Sequence, residues 1–137
     1  MTLREHQEVF SRNVVILLDE IIKTPGYSVT GGEWWRSETQ AWIYSLPFGS
    51  ELYAISPDGK KHEYEKLVGG LGSSRSLHRS RLAIDLNIFF NGAWMTDHAT
   101  YSHFGETWKS LHPLNRWGGD YGGDVFHFSM TDGKQKW

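Results

Sequence analysis

The sequence predicts an α+β fold, with a small, mostly antiparallel sheet and flanking helices. Three observations carry this: an amphipathic stretch near the start, one strongly alternating strand in the second half, and glycine- and proline-marked turns that keep the other strands short. The 137 residues make one domain's worth of chain, taken as residues 1–137 without repeats or a clear linker. A chain of this length buries roughly 65–70% of its unfolded surface, so it can rest on its own core.

Residues 3–22 read as a helix, because Val9, Phe10, Val14, Leu17, Leu18, Ile21 and Ile22 recur at three- and four-residue steps. Pro25-Gly26 ends it. Tyr27 to Thr30 is a short strand before the Gly31-Gly32 turn. Ser37 with Gln40 forms a capping-box pattern that starts a second helix carrying Ala41, Trp42, Tyr44 and Ser45, broken by Pro47. Residues 49–74 read as loop with a hairpin at Asp58-Gly59. Leu82 to Phe90 is the strongest strand, with Leu82, Ile84, Leu86 and Ile88 on one face and Ala83, Asp85 and Asn87 on the other. Asn91-Gly92 is a turn. Residues 97–111 suit a helix with Thr96 or Asp97 as cap and Pro113 beyond its end. Trp117 to Gly123 is a glycine-dense loop, Val125 to Met130 a last strand, and residues 131–137 a frayed tail.

Composition excludes several classes. With no cysteine, disulfides, thiol nucleophiles and thiolate metal sites are ruled out, so any metal must sit on His, Asp or Glu. A net charge of -2 gives no global pull toward nucleic acid. The longest apolar runs fall short of the ~20 residues needed for membrane insertion. No secretory signal is visible near Arg4, Glu5, His6 and Glu8. The excess of aromatics, seven Trp, six Tyr and seven Phe, fits either a core or a cleft for an extended polar ligand.

Asp85 lies within an apolar strand, where a buried carboxylate requires a cation. His127 alternates with Phe126 and Phe128, so it points away from the face those rings occupy. If the two strands are neighbours, Asp85 and His127 share a face, and His78 stands just ahead of the first strand. Two histidines and a carboxylate make a three-ligand zinc site with a position left for water. Asp124, three residues before His127, is placed to take a proton from that water, and Arg36 to meet developing negative charge. Each residue also has a plain structural reading. Asp85 can pair with Arg36, Arg79 or Arg81; Asp124 can cap a turn; Arg36 can be a surface cation; His127 can be a core histidine. His62, His98, His103 and His112 read as solvent-facing, and Trp34, Trp35, Trp94, Trp108 and Trp117 as core, Trp117 also being a cleft candidate beside the glycine loop. Asp120 competes with Asp124 for the base role, from a position further from His127.

The motifs resemble those of a known family. Ser76-Leu77-His78 through Asp85 resembles the Ser-x-His-x-x-Gly-x-Ala-x-Asp motif of the zinc D-alanyl-D-alanine carboxypeptidases and L-alanyl-D-glutamate endopeptidases. Asp124-x-x-His127 is similar to their closing Asp/Glu-x-x-His. Trp117-Gly118-Gly119-Asp120-Tyr121 resembles the Trp-Gly-Gly-Asp-Trp stretch of the phage endolysin branch, and Arg36 to Gln40 its Arg-Ser/Thr-x-x-Gln segment. The similarity runs in the family's order over residues 29–130. Three positions depart from it: Arg81 replaces the motif glycine, Tyr121 the last tryptophan, and Ser129 stands where an acidic or amide residue is frequent.

The resemblance implies a Hedgehog/DD-peptidase-like fold with one zinc ion on His78, Asp85 and His127. It implies Asp124 as general base and Arg36 as the contact for the transition state or a substrate carboxylate. Ser76 is implied as support for the ligand loop, with Trp117, Asp120 and Tyr121 in substrate binding or loop support. The implied substrate is the stem peptide of bacterial peptidoglycan, met by a monomer without nucleic acid or membrane insertion. A phage or prophage endolysin would stay in the cytoplasm until a holin releases it to the periplasm or cell wall. The alternatives are a D-alanyl-D-alanine carboxypeptidase of the same chemistry, a wall-peptide reader without catalysis, and a metal-free aromatic domain that binds glycans.

Overall fold

A computed structural model describes residues 1–68 and 76–133, with the side chains of 64–68 left aside. Its elements are α1 (Leu3–Lys23), β1 (Tyr27–Gly31), α2 (Glu38–Ser45), β2 (Ser50–Ile55), β3 (Lys61–Val68), β4 (Ala83–Phe90), β5 (Ala93–Trp94), α3 (His98–Leu111), β6 (Asn115–Trp117) and β7 (His127–Met130). Short 3₁₀ turns occupy Leu77–Ser80 and Gly118–Asp120. The class is α+β with a mostly antiparallel sheet, as the sequence predicts. Two compact units make it up, residues 1–35 with 77–137, and residues 36–76.

In the first unit, α1 starts at a reciprocal capping box between Thr2 and Glu5. Phe10, Val14, Leu17 and Ile21 are fully buried at helical spacing, whereas Ile22 is exposed and His6 and Asn13 take places on the buried side. The helix exits through Pro25-Gly26, where Gly26 takes φ 85°. Asp97, not Thr96, caps α3 by accepting from the Thr100 N–H at 2.8 Å.

The sheet runs β1-β4-β7-β6, antiparallel throughout, and β5 pairs with the far end of β4. Asn91 and Gly92 both take positive φ, 47° and 82°, as a two-residue hairpin turn requires. Ile84 pairs with Phe128, and the Phe128 ring meets Trp108 of α3 edge-on at 6.2 Å. That face of β4 and β7 therefore turns toward the helices, and Asp85 and His127 turn away from them. Trp108 donates its indole N–H to the carbonyls of Arg116 and Ser129 at 3.0 and 2.9 Å, so the core tryptophan leaves no buried donor idle.

Five strands depart from expectation. β5 and β6 are too short to show an alternating pattern, and β7 begins at His127 instead of Val125. Residues 50–55 and 61–68, read as loop, form the β2–β3 hairpin of the second unit, closed at Asp58-Gly59. Its described residues are mostly exposed on both faces, so no period-two pattern marks it. The glycines at 69–72, read as part of that loop, and residues 134–137 of the frayed tail lie outside the described residues. In the same unit Ser37 caps α2 by accepting from the Gln40 N–H at 3.0 Å. No described helix is long and apolar enough to cross a membrane.

Candidate metal centre

His78, Asp85 and His127 come together in the first unit. The 3₁₀ turn after Ser76 buries His78 and aims it at the sheet, closed by Leu82 N–H donating to the Leu77 carbonyl at 3.0 Å. Asp85 and His127 are direct cross-strand partners on β4 and β7. His78 Nε2 lies 3.2 Å from His127 Nδ1, and Asp85 Oδ1 is 3.3 Å from each. Tetrahedral coordination at ~2.0–2.1 Å places its ligand atoms about 3.3–3.4 Å apart, so the three atoms already stand at the spacing of three vertices. In the tautomers protonated on their other nitrogens, the imidazoles and Asp85 turn three lone pairs toward one point, as metal ligation requires; without an ion the facing nitrogens can instead donate to Asp85. The group fits a metal.

Electrostatics agree. Burial raises the Asp85 carboxyl, but hydrogen bonds from His127 and His78 prevail and hold it at about 2. The carboxylate is thus ionised and ready to ligate. None of the arginines offered as its partner is needed for this.

Glu33 joins the group without a sequence signal. The chain beyond β1 continues along β4, with Gly32 N–H donating to the Asp85 carbonyl at 2.7 Å and Asp85 N–H to the Glu33 carbonyl at 2.9 Å. This sets Glu33 Oε1 3.6 Å from His78 Nδ1, on the opposite side of the ring from the converging atoms. At 3.6 Å the contact is an ion-pair distance, longer than a hydrogen bond; closed by a few tenths of an ångström, a carboxylate there would fix the tautomer and orientation of a ligating imidazole. Glu33→Gln is expected to weaken metal affinity about 10–100-fold at unchanged stoichiometry, read by chelator competition; unchanged affinity rejects the role.

Asp124 stands where the chain turns into β7, its carbonyl accepting from the His127 N–H at 3.2 Å. The residue is exposed, yet partial desolvation lifts its carboxyl above the ordinary range against the pull of His127; the Asp85 charge adds to the rise. A raised carboxyl is the better proton acceptor. The approach depends on Gly118, where an added Cβ would lie 2.4 Å from the Asp124 carbonyl oxygen and 2.9 Å from His127 Cβ. Gly118→Ala is therefore expected to lower the melting temperature by an amount equivalent to roughly 1–3 kcal/mol and to weaken metal binding with it. A variant with wild-type melting and affinity would show that the loop yields freely.

Trp117 is not a cleft residue. It is fully buried, donates its indole N–H to the Val125 carbonyl at 2.8 Å, and fills the space left by Gly105 and Gly119. Its part is loop support. Asp120 pairs with Lys109 at 2.7 Å, away from the base role. His98, exposed as expected, also packs on Trp117 and reaches the Gly119 carbonyl at 3.2 Å. Tyr121 is half-exposed, whereas Trp34, Trp35 and Trp94, read as core, are 41%, 54% and 56% exposed. Arg36 and Ser76 belong to the second unit, where both are buried and Arg36 lies over the Tyr44 ring at 4.8 Å.

Arg81 takes φ 55°, the left-handed conformation that favours glycine. The glycine of the resembled motif thus answers a backbone demand at the end of the 3₁₀ turn, and arginine meets it at a cost of roughly 1–2 kcal/mol.

Residues 70–130 match the family model described as D-alanyl-D-alanine carboxypeptidase. The matched segment is a little under half of the chain and holds His78, Asp85, Asp124 and His127; Glu33 and Arg36 lie outside it. It supports the resemblance drawn from the motifs and a peptidoglycan-acting peptidase of the carboxypeptidase kind. No curated protein matches the chain significantly.

Proposed function

We propose, with that family match as premise, that the chain is a zinc peptidase hydrolysing a peptide bond in bacterial peptidoglycan stem peptides. The carrying observation is the near-equilateral spacing of His78 Nε2, Asp85 Oδ1 and His127 Nδ1 at 3.2–3.3 Å. Two imidazoles and one carboxylate, without thiolate, suit zinc with an open fourth position. Bound there, zinc would supply a Lewis acid for the scissile carbonyl and would lower the pKa of an attacking water.

The chain's own residues do the rest. His78, Asp85 and His127 hold the ion, and Glu33 orients His78. Asp124 accepts a proton from the attacking water and returns it to the leaving amine, a role its raised carboxyl favours. The role given to Arg36, meeting the oxyanion or a substrate carboxylate, rests on the resemblance of Arg36 to Gln40 alone.

The endolysin type, an L-alanyl-D-glutamate endopeptidase acting in phage lysis, is favoured by the Trp117 to Tyr121 stretch. The D-alanyl-D-alanine carboxypeptidase reading is favoured by the description of the matching family. Metal analysis of the purified protein, with mass spectrometry of digested muropeptides, tests both. One zinc per chain with new amino termini inside the stem supports the endopeptidase; loss of a terminal D-alanine supports the carboxypeptidase. A chain that takes up no metal and leaves muropeptides intact ends the proposal.

A further inference from the structure

Arg81 holds a strained conformation at a position where its resembled family carries glycine, and its side chain is exposed. Strain kept by a non-glycine residue beside a functional group points to a use for the side chain. Arg81 N–H donates to the His78 carbonyl at 3.2 Å, so its backbone is tied to the turn that delivers a ligand. Its guanidinium lies 5.6 Å from the centre of the Trp35 ring. Among the described residues it forms no ion pair.

Trp35 has the matching placement. Glu33 sends its side chain to His78, while the Trp34 ring packs edge-on against Phe10 of α1 at 6.3 Å. Alternation along an extended chain then returns Trp35 to the face of Glu33 and the metal centre. A half-exposed indole carrying an unpaired guanidinium presents a planar, two-pronged donor above an apolar platform. A carboxylate on a short apolar stem complements it: its oxygens meet the fork and its methylene or methyl group meets the ring.

We propose that Arg81, held on Trp35, forms a subsite beside His78, Asp85 and His127 that takes a free carboxylate of the peptide substrate. The inference rests on the peptidase reading and deepens it by naming a specificity-determining pair. Stem peptides offer that chemistry in two places, the carboxylate of the glutamyl residue and that of the terminal D-alanine.

The probe is L-alanyl-γ-D-glutamyl-L-lysyl-D-alanine in three forms: both carboxylates free, the glutamyl one amidated, and the terminal one amidated. Binding is read by calorimetry on metal-loaded protein carrying Asp124→Asn, so turnover does not blur it. Amidating one of the two carboxylates is expected to weaken binding about tenfold, the scale of a charge-assisted hydrogen bond. The amide that does so identifies the source. Adding Arg81→Gly, which relieves the backbone and so spares the fold, is expected to give the same tenfold loss and erase the difference between acid and amide; Arg81→Lys keeps part of it, and Trp35→Leu loses part. Indifference of the Arg81-containing protein to both amides, or tight and selective binding after Arg81→Gly, overturns the subsite. If the chain with Asp124 in place cuts nothing while acid-over-amide selectivity depends on Arg81, the peptidase reading fails and the subsite stands.

Discussion

His127→Gln is expected to yield a folded chain that retains no stoichiometric metal and cuts no stem peptide. Zinc bound by four protein ligands is worth ~10–16 kcal/mol, so one ligand carries about 3 kcal/mol, on the order of 100-fold in affinity. The loss here falls on one of only three protein ligands. It also removes the cross-strand partner whose hydrogen bond, with that of His78, keeps the Asp85 carboxyl at about 2. Glutamine keeps most of the volume between β4 and β7, so circular dichroism should remain native while metal content after mild chelation drops. One metal per chain in that variant removes His127 from the ligand set.

Asp124→Asn separates chemistry from metal binding. The carboxyl is not among the three converging atoms, so one metal per chain is expected to remain. An amide neither accepts the water's proton nor returns it, and general-base catalysis contributes about 10²–10⁴-fold. Stem-peptide turnover should fall by that factor with KM little changed, as for a group that acts chiefly in the transition state. Full turnover in the variant assigns the base elsewhere.

Why some of this was readable from residues and some was not has a physical basis. Asp85 was conspicuous because a carboxylate in an apolar strand needs a cation, and His127 because period-two alternation fixes the face it takes. Their pairing follows once β4 and β7 are neighbours. Glu33 carried no such mark: it reaches His78 through backbone hydrogen bonds beyond the end of β1, in a stretch with no alternating apolar face. Trp117 misled because glycines flank it, yet Gly119 is small in order to admit its ring: a Cβ there would lie 2.2 Å from Trp117 Cζ2. The Asp58-Gly59 turn marked the β2–β3 hairpin, but the extent of its strands did not show, because strands open to solvent on both faces have no hydrophobic period. Arg81 marked a departure from the motif, but only φ discloses that the position is a left-handed one.

The direct opposition of Asp85 and His127 makes the centre a gauge of strand alignment. Slipping β7 by a single position along β4 would swing the imidazole to the helix side and put a phenylalanine in its place, leaving a carboxylate and one histidine to face each other. Only the correctly zipped sheet presents all three donors at once. Capture of an ion by these three would thus lag behind docking of β7, and a nascent chain ending before residue 127 cannot assemble the candidate metal centre.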